Sequence, residues 1–435
     1  MRLSDVETVL AQIANRRPVI IDLSLDRIKA ALSRLGDPQK DLPPFFHVAG
    51  TNGKGSTVAF LRAALEAAGH SVHVYTSPHL VRFNERIVVA GNEISDPALI
   101  HALQRVDEAM GDDMLTYFET TTCAAFLAFS ETPADYAVIE VGLGGRLDAT
   151  NVMDDPLAAV VTPVDLDHQA FLGNTLGEVA GEKAGIFRRG APAVISRQTP
   201  DAMAVLQDRA NRIGAHIHAY GEQWNVYAEH GKLIYQDEAG LCDLDPPRLP
   251  GAHQIENAGT AIAALRAAGL KLDDATISKG LANARWPARM QRLTQGPLID
   301  LAQNLLGEEP EIWLDGGHNP HAGRAISALM ADMEARSSKP LVMISGMQAN
   351  KDAAGYFGSF AGLAREVFCV AADHDGVLSP EEVAKAAQAG GLKTQACASL
   401  EDAVRKACAD KENEPPRLLI SGSLYLAGEI LAENS

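Results

Sequence analysis

The segment from Gly50 to Thr57 has the residue types and the spacing that phosphate binding requires: Gly50, Thr51, Asn52, Gly53, Lys54, Gly55, Ser56 and Thr57. Apolar residues precede it and recur at helical spacing after it, which predicts a strand, a glycine-rich turn and a helix. In such a turn, backbone N–H groups and the helix N-terminus attract phosphate, Lys54 adds a mobile cation, and Ser56 or Thr57 offers a hydroxyl to Mg²⁺. The segment predicts a nucleotide-using enzyme.

This phosphate loop departs from the usual pattern at two positions. Val48 stands where that pattern has glycine, and Gly55 stands where it has serine or threonine. An ordinary glycine-rich turn with an exposed lysine is therefore an alternative, and other residues must separate the two.

Three further side chains follow the ends of predicted strands. Ser77 follows residues 71–75, Glu140 ends the run 137–141, and His168 follows residues 158–162. Open α/β sheets bind ligands at the carboxyl ends of their strands, and a hydroxyl, a carboxylate and an imidazole can together hold Mg²⁺. Each has a simpler alternative, namely a turn serine, a strand-end charge paired with a lysine, and a capped loop residue.

Two other residues in motif-rich segments admit two interpretations. Lys183 is predicted on a helix that starts near Thr175, where it is either functional or a lysine that is exposed or paired with a glutamate. Asp315 ends a strand before a tight turn, where it is either functional or a cap of that turn. The glycines at 142, 144 and 145 do not have the spacing of a dinucleotide fingerprint, so that function is rejected.

Composition restricts the class of protein. The chain has 435 residues, of which 46% are hydrophobic, so two or three domains with sizeable cores are expected. It has no apolar run near the roughly 20 residues of a membrane span, and no export signal is visible. The five cysteines are scattered and include no C-x-x-C pair, which favours a reducing cytoplasm over a disulfide or zinc framework.

The formal net charge of −18 argues against nucleic acid and anionic membranes as partners. Anionic substrates must therefore meet cations that are placed locally. The cations in glycine-rich or motif-rich loops are Lys54, Arg82, Arg86, Lys183 and Arg289.

The order of predicted elements indicates the fold class. Strand-like runs alternate with helical ones, which predicts an α/β fold with doubly wound parallel sheets. Later strands are predicted at residues 312–314, 341–345, 367–371 and 417–421. A segment at about 220–250 reads as a small β insertion or hairpin, and a helix follows at about 255–268. The main domain boundary is predicted near residues 290–296.

Several motifs in this order resemble a known family. They are residues 21–28, the phosphate loop, residues 76–80, 83–87, 116–119, 140–151, 166–168, 182–186, 315–320 and 421–423. They resemble the folylpolyglutamate synthase and dihydrofolate synthase branch of the Mur ligase superfamily over nearly the whole chain. The resemblance implies a P-loop-type ATPase domain that also binds the pterin over residues 1–292. It also implies a smaller Rossmann-like α/β domain over residues 293–435, which contributes to a glutamate and ATP cleft.

The activity that the resemblance implies is an ATP-dependent amide ligation. L-glutamate is joined to dihydropteroate, giving dihydrofolate, or to reduced folates, giving polyglutamates. The acceptor carboxylate attacks the γ-phosphate of ATP, and the glutamate amine then displaces phosphate from the acyl phosphate. ATP and Mg²⁺ are the implied cofactors, and a monomer is the implied assembly.

The resemblance also assigns residues to roles. The implied metal ligands are Ser77, Glu140 and His168, with Ser56 nearby, and Lys54, Lys183 and His168 are the implied catalytic residues. Lys183 matches a lysine that carries a carbamate (N6-carboxylysine). Implied ATP contacts beyond the phosphate loop are Asn257, Arg289 and Asp315. The implied pterin surface comprises Ile21, Asp22, Leu23, Thr116, Tyr117, Phe118 and Leu147.

The sequence departs from the family at Ser24 and Ala288, where glycine is common, so the backbone there is less certain than the reaction class. Two alternatives stay open. One is a cell-wall precursor ligase that adds an amino acid to a UDP-linked sugar peptide, and the other is a nucleotide-binding module without ligase activity.

Overall fold

The computed structural model describes residues 5–16, 23–111, 113–409 and 414–434. These residues group into two compact units. The first extends to Arg248 and resumes at Gln254–Arg285, and the second comprises Leu249–His253 and the chain from Trp286 onward. The change at residues 285 and 286 comes slightly before the boundary that the sequence predicts.

The first unit is organised around an eight-stranded sheet with the order β4-β3-β2-β5-β1-β6-β7-β8. The six strands β2, β5, β1, β6, β7 and β8, in this spatial order, pair in parallel with one another. The strands β3 and β4 add two antiparallel pairs at one edge of the sheet. The strands are β1 (Phe45–Ala49), β2 (Val72–Tyr75), β3 (Ile87–Val89), β4 (Asn92–Glu93), β5 (Tyr136–Glu140), β6 (Ala158–Val161), β7 (Pro192–Ile195) and β8 (His216–Ala219).

Helices alternate with these strands along the chain. They are α1 (Asp5–Arg16), α2 (Asp26–Arg34), α3 (Lys54–Ala67), α4 (Asp96–Met110), α5 (Tyr117–Ser130), α6 (Gln169–Leu172), α7 (Leu176–Lys183), α8 (Pro200–Ile213), α9 (Ala252–Ala267) and α10 (Asp274–Asn283). Short 3₁₀ segments cover Pro38–Lys40, Phe83–Arg86 and Ala184–Ile186. Local signals set several starts: Thr116 and Thr175 each form a capping box with the glutamate three residues later.

Helices cover both faces of the sheet. On one face, Ile139 packs in a cluster with residues of α4 and α5, and Val161 packs in a cluster with residues of α7 and α8. The alternate strand residues Phe46, Val74 and Val138 are buried on the opposite face, and α3 packs against their strands β1, β2 and β5. The predicted doubly wound α/β architecture is thereby confirmed.

The β segment predicted at about 220–250 forms a separate antiparallel sheet of three strands in the order β11-β10-β9. The strands are β9 (Trp224–Glu229), β10 (Lys232–Asp237) and β11 (Gly240–Leu244). Positive φ angles at His230 and Gly231 form the tight turn between β9 and β10.

The second unit is built on a six-stranded sheet with the order β12-β13-β17-β14-β15-β16. Only the edge strand β12 is antiparallel to its neighbour. The strands are β12 (Gln291–Leu293), β13 (Glu311–Leu314), β14 (Leu341–Ser345), β15 (Ala364–Cys369), β16 (Thr394–Ala396) and β17 (Arg417–Ser421). The helices are α11 (Pro297–Leu306), α12 (Pro320–Arg336), α13 (Ala353–Gly358), α14 (Pro380–Ala389), α15 (Leu400–Ala407) and α16 (Leu424–Glu433).

The strands β14 and β17 are buried along their whole length, as the apolar runs in the sequence predict. Within the described residues, no helix combines the length and the apolar character needed to cross a membrane.

Candidate active site

Four segments with predicted functional residues leave the first sheet at the same edge. The strands β2, β5, β1 and β6 are consecutive neighbours and run in parallel. Ser77 follows β2, Glu140 ends β5, the phosphate loop follows β1, and the loop to His168 follows β6. Since the carboxyl ends of parallel strands lie at one edge, the sheet order brings these sequence-distant segments together.

The phosphate loop is a tight turn that opens directly into α3. Gly53 precedes the helix with φ +84°, a conformation that favours glycine. A Cβ atom on Gly53 would lie 2.4 Å from Oδ1 of Asn257, so Asn257 packs directly on the loop. The structure thus places one of the predicted ATP contacts against the loop, although the two residues are far apart in the sequence.

Lys54 occupies the first turn of α3 with its amine near a buried carboxylate. Its Nζ lies 3.8 Å from Oε1 of Glu140 and donates a hydrogen bond to the Thr51 carbonyl at 3.4 Å. Glu140 is almost fully buried. The predicted phosphate-binding cation and the predicted metal-binding carboxylate are therefore neighbours.

Lys183 ends α7 and is buried beneath the phosphate loop. Its Nζ donates a 2.9 Å hydrogen bond to the Gly50 carbonyl, which excludes the alternative of an exposed lysine. Burial, followed by repulsion from the Lys54 charge, lowers the pKa of Lys183 from 10.5 to about 7, and the charges of Asp167 and Asp148 oppose this shift. A substantial fraction of this amine is neutral near neutral pH.

The predicted metal ligands are hydroxyl, carboxylate and imidazole groups around this edge. Ser56 and Glu140 are buried, whereas the His168 side chain is 40% exposed and lies 3.9 Å from a carboxylate oxygen of Asp167. His168 adopts a left-handed backbone conformation, with φ +51°, as strained residues at functional sites often do.

These residues fit a Mg²⁺ ion that shares its coordination with phosphate oxygens and water. The described residues contain no group of three or more His, Cys, Asp or Glu side chains that could hold a metal by itself. The Thr57 hydroxyl, beside Ser56, is buried and makes no hydrogen bond within the described part of the chain. Mg²⁺ ordinarily binds proteins through one or two carboxylates plus substrate phosphates, and Glu140 supplies such a carboxylate beside the phosphate loop.

The second unit brings two of the predicted ATP contacts together: Arg289 precedes β12, and Asp315 follows β13. Both oxygens of the buried Asp315 accept backbone N–H groups, at 2.8 Å from Met290 and 2.7 Å from Gly317. Burial raises the pKa of Asp315, although the Arg289 charge opposes that shift. The capping alternative for Asp315 is therefore real, and the cap fixes the segment that carries Arg289.

Ala288 and Met290, on either side of Arg289, adopt left-handed conformations with φ +52° and +44°. Glycine would adopt this conformation at position 288 without strain, and nothing in the structure explains why alanine stands there.

The predicted pterin surface is described in part. Ile21 and Asp22 lie outside the described residues, and Leu23 is half-buried. Thr116 caps α5 through its reciprocal bonds with Glu119, so Tyr117 and Phe118 begin that helix. The ring of Phe118 lies 6.1 Å from that of Tyr75 and packs so closely on Gly142 that a Cβ atom there would lie 2.4 Å from it.

Sequence reasoning assigned no individual role to Asp148, which organises the loop that carries Leu147. The buried carboxylate accepts hydrogen bonds from the Leu143 backbone and from Thr150, whose hydroxyl also contacts His47 at 2.9 Å. Burial lowers the pKa of His47 to about 3, so this histidine is neutral. Asp148 lies within a motif quoted for the resemblance, but only the folded loop shows what it holds.

Arg27 and Glu119 form a second arrangement that the sequence did not reveal. Nε and Nη2 of Arg27 donate to the two oxygens of Glu119 at 3.2 and 3.0 Å. Since Glu119 also accepts from the Thr116 backbone at 2.6 Å, this ion pair connects the start of α2 with the Thr116–Phe118 segment. A glutamate in a capping box gives no signal of such a partner.

Family comparisons agree with this geometry. Residues 48–265 match the Mur ligase middle domain, and residues 303–424 match the Mur ligase glutamate ligase domain. The first match begins in β1 and includes the phosphate loop, Glu140, His168, Lys183 and Asn257.

Individual proteins and structures are similar over most of their length. The dihydrofolate synthase/folylpolyglutamate synthase of Escherichia coli is 37% identical over 367 residues, which cover 84% of this chain and 82% of that protein. The structure of E. coli FolC in complex with DHPP and ADP has a TM-score of 0.88 at 33% identity, covering 99% and 97% of the two chains.

A bifunctional folylpolyglutamate synthase/dihydrofolate synthase with Mn, AMPPNP and L-glutamate bound has a TM-score of 0.84 at 32% identity, covering 98% and 97% of the two chains. The domain matches and these similarities together show that the chain belongs to the dihydrofolate synthase/folylpolyglutamate synthase family of Mur ligases.

Proposed function

We propose that this protein is an ATP-dependent ligase that adds L-glutamate to dihydropteroate, forming dihydrofolate, and to reduced folates, forming polyglutamates. The observation that carries the proposal is the meeting of Lys54, Glu140 and Lys183 at the phosphate loop. A cation, a buried carboxylate and a buried amine converge there on the turn that would hold the nucleotide. The similarity to relatives named dihydrofolate synthase/folylpolyglutamate synthase supports the choice of acceptors.

The reaction has two steps. An oxygen of the acceptor carboxylate forms a bond to the γ-phosphorus of ATP, and the bond to the bridging oxygen breaks, releasing ADP. The amine of L-glutamate then forms a bond to the acyl carbon, loses a proton, and displaces phosphate to leave an amide. Neither step requires a covalent bond to the enzyme, so its contribution is positioning and electrostatic stabilisation.

The residues of the phosphate loop supply most of this stabilisation. We assign the backbone N–H groups of residues 50–57 to the phosphates of ATP and Lys54 to the charge that develops on the transferred phosphoryl group. Asn257, which packs on Gly53, is assigned to the nucleotide, as are Arg289 and Asp315 of the second unit. Since both Asp315 oxygens bind backbone N–H groups, part of its role is to fix the Arg289 turn.

Ser77, Glu140 and His168 are assigned to Mg²⁺, with Ser56 as a further hydroxyl. When bound, the ion supplies positive charge that neutralises the phosphate oxygens. The burial of Glu140 beside Lys54 keeps this carboxylate oriented toward the same space.

The acceptor is assigned to residues 21–23, Thr116–Phe118 and Leu147, of which residues 21 and 22 lie outside the described part of the chain. The apolar face of Phe118 can stack on a pterin ring, and its orientation is fixed by the packing of its ring on Gly142. Asp148 and the Arg27–Glu119 pair hold the two ends of this surface.

This packing leads to a prediction for Gly142→Ala. The added methyl group would collide with Phe118, so the ring must move and the KM for dihydropteroate should rise about tenfold, the effect expected when one aromatic contact is displaced. The KM for ATP should change little, because the atoms nearest to the added methyl group all belong to the Phe118 ring. Steady-state kinetics with each substrate varied in turn measures both values, with Gly181→Ala as the control, since nothing lies within 4 Å of a Cβ atom there. Equal changes in both constants would contradict the assignment of Phe118.

The proposed function is tested by phosphate release from ATP and Mg²⁺ in the presence of L-glutamate. Dihydropteroate and tetrahydrofolate are compared as acceptors, and the products are identified by mass spectrometry. Release that depends on both acceptors is expected, with products larger by one glutamyl residue. If neither acceptor stimulates release, the proposal is wrong, and a UDP-linked sugar peptide is the next acceptor to test.

We also propose a monomer located in the cytoplasm. No disulfide joins the five cysteines, all of which belong to the described part of the chain and are buried, as is usual for proteins of reducing compartments. Light scattering at assay concentrations tests the assembly, and a mass of two chains would contradict it.

A further inference from the structure

Arg86 follows the loop that carries Ser77 and borders the proposed pterin surface. The sequence places it among the cations available to anionic substrates, but neither the sequence nor the family match assigns it a specific role. It ends the 3₁₀ segment Phe83–Arg86, immediately before β3. Its carbonyl accepts a 2.9 Å hydrogen bond from the backbone of Thr76, the residue before Ser77. The backbone of Arg86 is thereby fixed next to one of the proposed metal ligands.

The side chain of Arg86 is held in place by neutral groups. Its Nε donates to Nδ1 of His79 at 2.8 Å, and its guanidinium carbon lies 5.0 Å from the ring centre of Phe83. The Phe83 ring in turn meets the ring of Tyr117 edge-on, with centres 6.2 Å apart. The guanidinium therefore borders the start of α5, where the pterin surface is proposed.

This half-buried cation has no carboxylate partner among the described residues. The neighbouring Glu85 directs its two oxygens to the backbone N–H groups of Leu80, Val81 and Arg82. By contrast, Arg82 on the same loop is paired with Asp96 at 2.7 Å. The terminal nitrogens of Arg86 retain donors in a planar fork, which matches the geometry of a carboxylate.

We propose that Arg86 binds the α-carboxylate of the terminal glutamate of a folate acceptor. This inference rests on the proposed function. The reacting carboxylate must lie near the phosphate loop, where Lys54 neutralises charge. A folate acceptor has a second carboxylate on the same glutamate, and Arg86 supplies a cation between the Ser77 loop and Tyr117 to receive it.

Dihydropteroate has only the reacting carboxylate. Arg86 is therefore a specificity-determining residue for the addition of glutamate to folates, and it is dispensable for the addition to dihydropteroate.

The test compares Arg86→Gln and Arg86→Lys with the parent protein and with Arg82→Gln, the matched control on the same loop. Steady-state kinetics gives KM and kcat for tetrahydrofolate, dihydropteroate, L-glutamate and ATP, and calorimetry gives the Kd of both acceptors for each protein. For Arg86→Gln, the KM and Kd for tetrahydrofolate should rise about 10- to 100-fold, as expected for loss of a charge-assisted hydrogen bond. The values for dihydropteroate should change less than about threefold.

Arg86→Lys keeps the charge but loses the fork, so it should recover only part of the affinity for tetrahydrofolate. If Arg86→Gln weakens both acceptors equally, raises only the KM for L-glutamate, or changes nothing, the inference is wrong. If Arg86→Gln unfolds, Arg86→Lys and calorimetry on the folded variant give the same comparison. If the parent protein uses neither acceptor, the proposed function is wrong. If the parent protein turns over only one acceptor, the calorimetric Kd values of both acceptors still test the role of Arg86.

Discussion

Replacement of Lys54 by alanine is expected to lower kcat by about 1000-fold or more, the scale observed when a principal charge-stabilising group is removed from a phosphoryl-transfer site. The amine stands at the first turn of α3, 3.8 Å from the Glu140 carboxylate. Without this amine, no lysine of the phosphate loop would neutralise the negative charge on the transferred phosphoryl group and on Glu140. Initial rates of phosphate release with saturating acceptor and L-glutamate measure the loss.

The control for Lys54→Ala is Lys40→Ala, because the Lys40 side chain is 70% exposed and only forms a surface pair with Asp37. Circular dichroism and thermal unfolding establish that both variants are folded. If the Lys54→Ala protein is folded and has near-parental turnover, the assignment of the phosphate loop to ATP is wrong. The proposed mechanism, which depends on that assignment, would then be wrong as well.

Replacement of Lys183 by alanine is expected to lower activity about 100- to 1000-fold, since the variant loses both a support of the phosphate loop and a site for carbamate formation. We propose that CO₂ adds to the neutral amine, which turns a cation into an anionic oxygen donor. The mass of the intact native protein should then exceed the sequence mass by one CO₂. Activity should fall after CO₂ is removed and recover with bicarbonate.

The pH dependence of this modification follows from the lowered pKa. Only the neutral amine reacts with CO₂, and its pKa is about 7 in the folded protein against 10.5 ordinarily. The carbamate should therefore be favoured above pH 7 and lost as the pH falls below it. The unfolded protein binds more protons than the folded one between these two values, so Lys183 also makes the free energy of unfolding rise with pH across that window.

Lys183→Met is the matched variant, since it fills the buried space but has no amine. It should be as inactive as Lys183→Ala and insensitive to bicarbonate, with a melting temperature closer to that of the parent. A parental mass without CO₂, together with activity that does not respond to bicarbonate, would leave Lys183 a support of the Gly50 carbonyl and no more.

Many of the helices and strands of this protein could be predicted from the sequence for a physical reason. Burial periodicity and capping are short-range properties, so the strand before Gly50, the helix after Lys54 and the capped start near Thr175 could be predicted from neighbouring residues. The ordered motifs also sufficed to predict the family, because each motif is a short run of neighbouring residues and their order along the chain needs no tertiary contact.

The same reasoning failed where both interpretations of a residue obey the same local pattern. The sequence allowed Lys183 to be an exposed lysine, because the local pattern at the end of a helix does not show which other segments pack over it. Asp315 was readable as a functional acid or a cap, and the cap depends on a contact with the Met290 backbone. The Arg27–Glu119 pair joins residues that are 92 positions apart, and no local signal links them.

The sequence by itself determined the phosphate-loop turn and the α/β alternation, and it predicted the residues that we propose bind ATP, Mg²⁺ and a pterin. The tertiary structure decided which of them meet. The strand order places β5 and β6 on either side of β1, and this order brings Glu140 to Lys54 and Lys183 to Gly50. It also decided the chemistry of Lys183, because a pKa depends on burial and on neighbouring charges that only the folded chain assembles.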